Sequence, residues 1–175
     1  PRLPNPRTGE IIAADIVLEQ VYTTNRIIYT DLFDAAALPA AGQHAGQRRP
    51  NGAPGPELCA MGQGIQHNTL FGVAALTAQG ASDEEIGDLV QEGLFELALH
   101  EVGHTLGLMH NMKGTQAVPY EDIHSAERKA KGWLTGSIMD YAPININPDR
   151  DKQGLYYSVA PGPYDDWAIE FGYRS

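Results

Sequence analysis

The chain has 175 residues, 42% of them hydrophobic, which suits one domain with a genuine core. Its net charge of −10 argues against nucleic acid or an anionic membrane surface as partner, and no run approaches the ~18 apolar residues that a membrane span needs. The single cysteine, Cys59, leaves no intramolecular disulfide to indicate a compartment; it reads as a buried, inert small hydrophobe rather than a zinc-ligating thiolate.

The opening Pro1-Arg2-Leu3-Pro4-Asn5-Pro6 reads as the interior of something longer, a mature form or a fragment, and carries no visible signal peptide. Asn5 to Gly9 is a turn signal, with Pro6 fixing φ and Gly9 closing. Glu10 to Leu18 is rich in β-branched residues and reads as a buried strand. Val21 to Tyr29 is apolar and of open type. Leu38 to Pro56, rich in Ala, Gly, Pro and Gln, reads as a long surface loop with His44 solvated. Leu58 to Gly80 is apolar but rich in Gly and Ala, so an edge strand, a helix or both stay open. His67 within it reads as structural rather than metal-binding.

Ser82-Asp83-Glu84-Glu85 has the form of a capping box, with acidic residues suited to the positive end of a helix. Ile86, Leu89, Val90, Leu94, Leu97 and Ala98 then recur on one helical face. One long helix from about Asp83 to Leu106 follows. Gly87 and Gly93 weaken it locally and are read as marks of close packing.

That helix carries His100-Glu101-Val102-Gly103-His104-Thr105-Leu106-Gly107-Leu108-Met109-His110. Residues four apart share a face, so His100 and His104 can aim two nitrogens at one ion. Glu101, rotated about 100° from His100, stands beside that ion rather than on it. His110 would lie roughly 120° off the face if the helix continued. It reaches the metal only if the helix ends first, and Gly107 supplies the left-handed residue that ends it. Bare H-E-x-x-H arises by chance; Gly107 and His110 lower the chance rate by about two to three orders of magnitude. Three histidines leave one position of a Zn²⁺ ion open for water, the arrangement of a working site. Glu101 is placed to act as general base.

Beyond the motif, Glu121 to Lys131 is a polar helix candidate ending before Gly132, with His124 on it as an exposed residue. Ala142 to Pro163 is a loop rich in Pro, Asn and Asp. Pro163 to Gly172 is a short amphipathic helix with Asp165 and Asp166 in its first turn. No internal repeats are present.

With the third histidine in place, the segment resembles the metzincin clan of zinc endopeptidases. Ser137-Ile138-Met139-Asp140-Tyr141, whose Met139 lies 29 positions after His110, is similar to the clan's methionine turn. Asn5 to Ile11, His110-Asn111, Ser137 to Tyr141 and Gly162 to Asp165 together resemble large bacterial zinc-dependent metalloproteases, exported and multidomain. The resemblance implies an α+β metzincin-like domain over residues 1–175: a small mixed sheet, a long active-site helix, a Met-turn and a C-terminal helix. It implies peptide or protein substrates, an extracellular or periplasmic setting, Met139 as packing under the site, and Tyr141 as a fifth ligand or oxyanion donor, with core packing equally open for Tyr141. It also implies an extended substrate on an edge strand, expected between Cys59 and Ala75, and a specificity pocket lined near Ala142 to Asn147. Two departures stand out. Asn111 replaces the aspartate many members carry, and the clan's first strand and helix are absent, so either another segment covers that face of the sheet or the domain is incomplete at its N-terminus. The alternatives are a zinc-stabilised binding or scaffold module without turnover, and hydrolysis of a non-protein amide. Oligomeric state is not legible.

Overall fold

The structure, a computed structural model, describes residues 2–9, 11–14 and 59–174. Apart from Cys59 and Ala60, these fall in one compact unit, Pro1–Ile16 with Met61–Ser175. The apolar piece Val21 to Tyr29 and the loop Leu38 to Pro56 with His44 lie outside the described residues.

The first turn forms as its residues demand. Gly9 takes φ +76°, and its N–H donates to the Asn5 carbonyl at 2.9 Å. The Asn5 side chain accepts the Arg7 N–H at 3.0 Å. The turn joins β1 (Arg2–Pro4) to β2 (Ile11–Ala14), antiparallel, with a register irregularity at Leu3/Pro4. The strand expectation, made for Glu10 to Leu18, is met at Ile11–Ala14, without burial at Ile12 and Ala13; Glu10 and Asp15 to Leu18 lie outside the described residues. Ile12 is 62% exposed, because β2 pairs only with β1 among the described residues. This hairpin is the whole of the described sheet, so the fold is helix-rich and the small mixed sheet is not seen among the described residues.

The edge strand expected between Cys59 and Ala75 is instead helix α1 (Met61–Ala78). Its buried residues, Met61, Ile65, Gly72, Val73 and Leu76, recur at helical spacing rather than alternating, so a strand would expose half of them. Helix α2 (Asp83–Thr105) follows with its capping box formed: the Ser82 hydroxyl accepts the Glu85 N–H at 3.3 Å, and Glu85 Oε2 accepts the Ser82 N–H at 2.7 Å.

The two helices pack antiparallel. A Cβ on Gly72 would lie 2.7 Å from Leu89, and one on Gly93 would lie 3.3 Å from Ile65 and 3.1 Å from Tyr157. Gly93 thus marks close packing as expected; Gly87 does not, having nothing within 4 Å. Arg150 ties the helix junction to the later chain, donating to the Gly80 carbonyl at 2.7 Å and pairing with Glu85 at 3.0 Å. Leu89, Val90, Leu97, Ile138, Met139, Tyr156 and Tyr157 make up much of the core.

The expected helix from Glu121 to Lys131 is shorter and broken. A 3-10 turn spans Tyr120–Asp122, and α3 covers only Ala126–Lys131. Ser125 caps α3 through the Arg128 N–H, and Gly132 ends it at φ +77°. Helix α4 (Pro163–Tyr173) closes the chain with Pro163 in its first turn, as expected. No helix among the described residues is long and apolar enough to cross a membrane.

Candidate metal centre

The end of α2 builds the site. Gly107 takes φ +91° and donates to the His104 carbonyl, while Leu108 N–H donates to the Gly103 carbonyl at 3.0 Å. This pair of bonds is a Schellman ending, and it turns the chain back three residues before His110. His100, His104 and His110 then converge. Their ring centroids lie 4.7 to 5.2 Å apart, and their ligand nitrogens lie within 4.8 Å of one another.

Backbone carbonyls set which nitrogens would face an ion. His100 Nδ1 lies 2.8 Å from the Ile138 carbonyl, and His104 Nδ1 lies 3.0 Å from the Leu108 carbonyl. A carbonyl can only accept, so each Nδ1 carries the proton and each Nε2 keeps its lone pair. His104 Nε2 and His110 Nε2 stand 3.0 Å apart, close to the roughly 3.3 Å that tetrahedral zinc bonds of 2.0–2.1 Å require. The donor set therefore fits Zn²⁺. Burial pushes the His100 imidazole down to about 4, against the help of the Ile138 carbonyl, so it is neutral at physiological pH.

Glu101 is half-buried on the next position of α2, and its charge reaches the His100 ring. Tyr141 closes the other side, with its hydroxyl 3.1 Å from His110 Nε2.

The floor is the turn at Ser137–Tyr141. Met139 is fully buried, and a Cβ on Gly103 would fall on its sulfur. Gly103 is thus the seat of the methionine, a role its place inside H-E-x-x-H did not signal. Asn111, noted as a departure, donates its N–H to the Met139 carbonyl at 2.9 Å and so joins the third histidine's loop to the turn.

With a long zinc motif over a buried methionine turn, comparison with known families becomes decisive. A family model described as Met-zincin matches residues 82–175, more than half the chain. The chain belongs to the Met-zincin family. No match was found among curated proteins or among solved structures. The matched region begins at the α2 cap and includes all three histidines, Met139 and α4, so the family likeness and the site geometry cover the same residues.

Several residues supporting this Met-zincin site were missed in the sequence. Asp165, only 3% exposed, accepts from the Ser137 hydroxyl at 2.6 Å, the Ile138 N–H at 2.7 Å and the Gly162 N–H at 2.8 Å. Its place in a helix's first turn was legible; its hold on the Met-turn was not. Asp140 accepts the Thr115 N–H at 2.7 Å. His67 is exposed and takes no part in the metal group. Cys59, expected to be a buried, inert hydrophobe rather than a zinc ligand, is half-buried, and its thiol stands with the three histidines among the groups that could hold a metal ion. His124, expected to be exposed, is half-buried, and its Nδ1 accepts the Gly154 N–H at 3.2 Å.

Glu96 lies one turn before His100 and is 2% exposed. Burial pushes its carboxyl up to about 8, although the Ser158 N–H bonds it and opposes the shift. Its Oε2 has no hydrogen-bond partner among the described residues. An unfolded glutamate titrates near 4.5, so the folded state holds this proton more tightly. The stability that results is full below that value and is lost as pH rises through about 8. Glu96→Gln keeps the shape without the charge. Its stability advantage over the parent, measured by urea denaturation, is expected to grow to a few kcal/mol between pH 5 and pH 8. Parallel curves for the two proteins would show that Glu96 carries no such shift.

Proposed function

We propose that this protein is a zinc-dependent endopeptidase that hydrolyses peptide bonds with Glu101 as general base. One observation carries the reading: two imidazoles have Nδ1 committed to backbone carbonyls, so that each Nε2 keeps its lone pair, and the third histidine stands beside them after the Gly107 turn. Zinc held by His100, His104 and His110 would acidify a water and polarise the scissile carbonyl. Glu101 would take that water's proton and return it to the leaving amine. Tyr141, already within hydrogen-bond reach of His110, is placed to donate to an oxyanion.

The pocket for a substrate side chain is assigned to the segment after the turn, Ala142 to Asn147. There Ile144 and Ile146 pack over Gly72 of α1. Metal analysis with digestion of a broad peptide library tests the reading. Zinc bound with cleavage supports a peptidase; zinc bound without cleavage of any peptide favours a binding module.

Zinc occupancy is expected to fall as pH drops, because protons compete with the ion for the imidazoles. Dialysis followed by metal analysis checks this, and full occupancy in strong acid would count against a three-histidine site.

A further inference from the structure

The chain after the Met-turn forms a strap with two arms, outward along Ala142–Asn147 and back along Gly154–Ser158, the latter wholly buried. The arms are laced together. Asn145 N–H donates to the Tyr156 carbonyl at 3.0 Å, Asn145 Nδ2 to the Leu155 carbonyl at 2.7 Å, and Gln153 Nε2 to the Asn145 carbonyl at 3.0 Å. The return arm hangs on α2. Glu92 Oε2 accepts the N–H groups of Tyr156 and Tyr157 at 2.6 and 3.1 Å, and the Glu96 carboxyl bonds the Ser158 N–H.

His124 holds the far end. Its Nδ1 lies 3.2 Å from the Gly154 N–H and 3.4 Å from Asn145 Nδ2, so one nitrogen touches both arms. Gly154 sits directly on it: a Cβ there would stand 3.0 Å from His124 Cα. Both groups facing Nδ1 are donors, so this nitrogen must be unprotonated and the neutral ring carries its proton on Nε2.

We propose that His124 is a positioning residue whose neutral imidazole pins both arms of the strap, and whose protonation releases them and loosens the wall of the substrate pocket. The link to the pocket rests on the peptidase reading above; the pin itself does not. Protonation replaces the acceptor by a third donor facing two donors, which reverses the sign of the contact. Burial lowers the proton affinity of His124, so the pin is set at neutral pH. Asp122 lies two residues back, Arg150, Asp151 and Lys152 lie on the strap, and Glu92 and Glu96 face it from α2; none of these charges contributes to the shift.

The test uses the zinc-loaded full chain. Amide hydrogen exchange is followed by NMR between pH 8 and pH 4.5 and expressed as protection factors, with the His124 ring titrated in the same samples. The Gly154 amide is expected to lose about tenfold in protection as the ring is protonated. His124→Asn retains an acceptor that does not titrate and should keep Gly154 protected throughout; His124→Ala should leave it weakly protected at every pH. Because His124→Asn loses zinc in acid like the parent, it separates the pin from metal loss. Equal pH dependence in parent and His124→Asn, or a His124 titration that leaves Gly154 unmoved, overturns the proposal. In the second arm, the kcat/KM ratio between peptides differing at the pocket side chain should shrink in His124→Ala and recover in His124→Asn. Amides that respond as expected in a chain that cleaves nothing would defeat the peptidase reading and leave the pin standing.

Discussion

Glu101→Gln is expected to bind zinc as the parent does and to lose about 10²- to 10⁴-fold in the rate of peptide cleavage, the contribution typical of a positioned general base. Glu101 is not among the converging metal-ligand groups, so its replacement leaves the three imidazoles intact. It follows His100 on α2 and stands about 100° round the helix from it, which would put its carboxylate beside an ion held by the three imidazoles. The charge of Glu101 already acts on the His100 ring. Glutamine matches the shape and offers no base, so the water loses its proton acceptor while zinc stays. Zinc per chain by metal analysis, with single-turnover cleavage of one library-derived peptide, reads both halves. Cleavage by the variant at the parental rate would mean that the base lies elsewhere.

Asp165→Ala is expected to destabilise the protein by roughly 3–5 kcal/mol and to weaken zinc binding about 10- to 100-fold. The carboxylate is buried and accepts three hydrogen bonds, from Ser137, Ile138 and Gly162. Truncation leaves two buried N–H groups and a hydroxyl without their acceptor, each costing about 1–3 kcal/mol, with incomplete additivity. The damage travels to the metal by a short route. Ile138 donates its N–H to Asp165 and receives the His100 Nδ1 proton on its carbonyl at 2.8 Å, so a shifted turn re-aims the buried ligand. Asp166→Ala is the control: Asp166 is exposed one position further along, and its loss should change stability by less than ~0.5 kcal/mol. Urea denaturation and zinc competition against a chelator measure both effects. An Asp165→Ala protein as stable as the parent, with unchanged zinc affinity, would show that the turn does not depend on this clamp.

What the chain reveals in one dimension tracks the range of the interaction. The α2 cap joins residues three apart, and the Gly107 ending joins residues three to five apart. Such bonds are set by backbone geometry that repeats in every helix, so they were legible. Glu92 and Glu96 bond the Tyr156–Ser158 backbone some sixty residues away, which no neighbour in sequence signals. His124 looked exposed because nothing near it in sequence covers it; Gly154, thirty residues on, does. Leu58 to Gly80 stayed open between strand and helix because glycine and alanine mark neither period. Packing against α2 settled it as helix, and the expected edge strand went with it.

By itself the sequence determined the three converging histidines, the adjacent carboxylate, the turn that brings His110 back and the methionine beneath, because each follows from residue type at short spacing. Only the tertiary structure decided what holds those parts in place. Ile138 fixes the tautomer of His100, Asp165 clamps Ile138, Gly103 seats Met139, and His124 meets the strap beyond the turn. These contacts join residues about 27 to 38 positions apart, and chain order carries no signal for a hydrogen bond whose partners meet only once the core has formed.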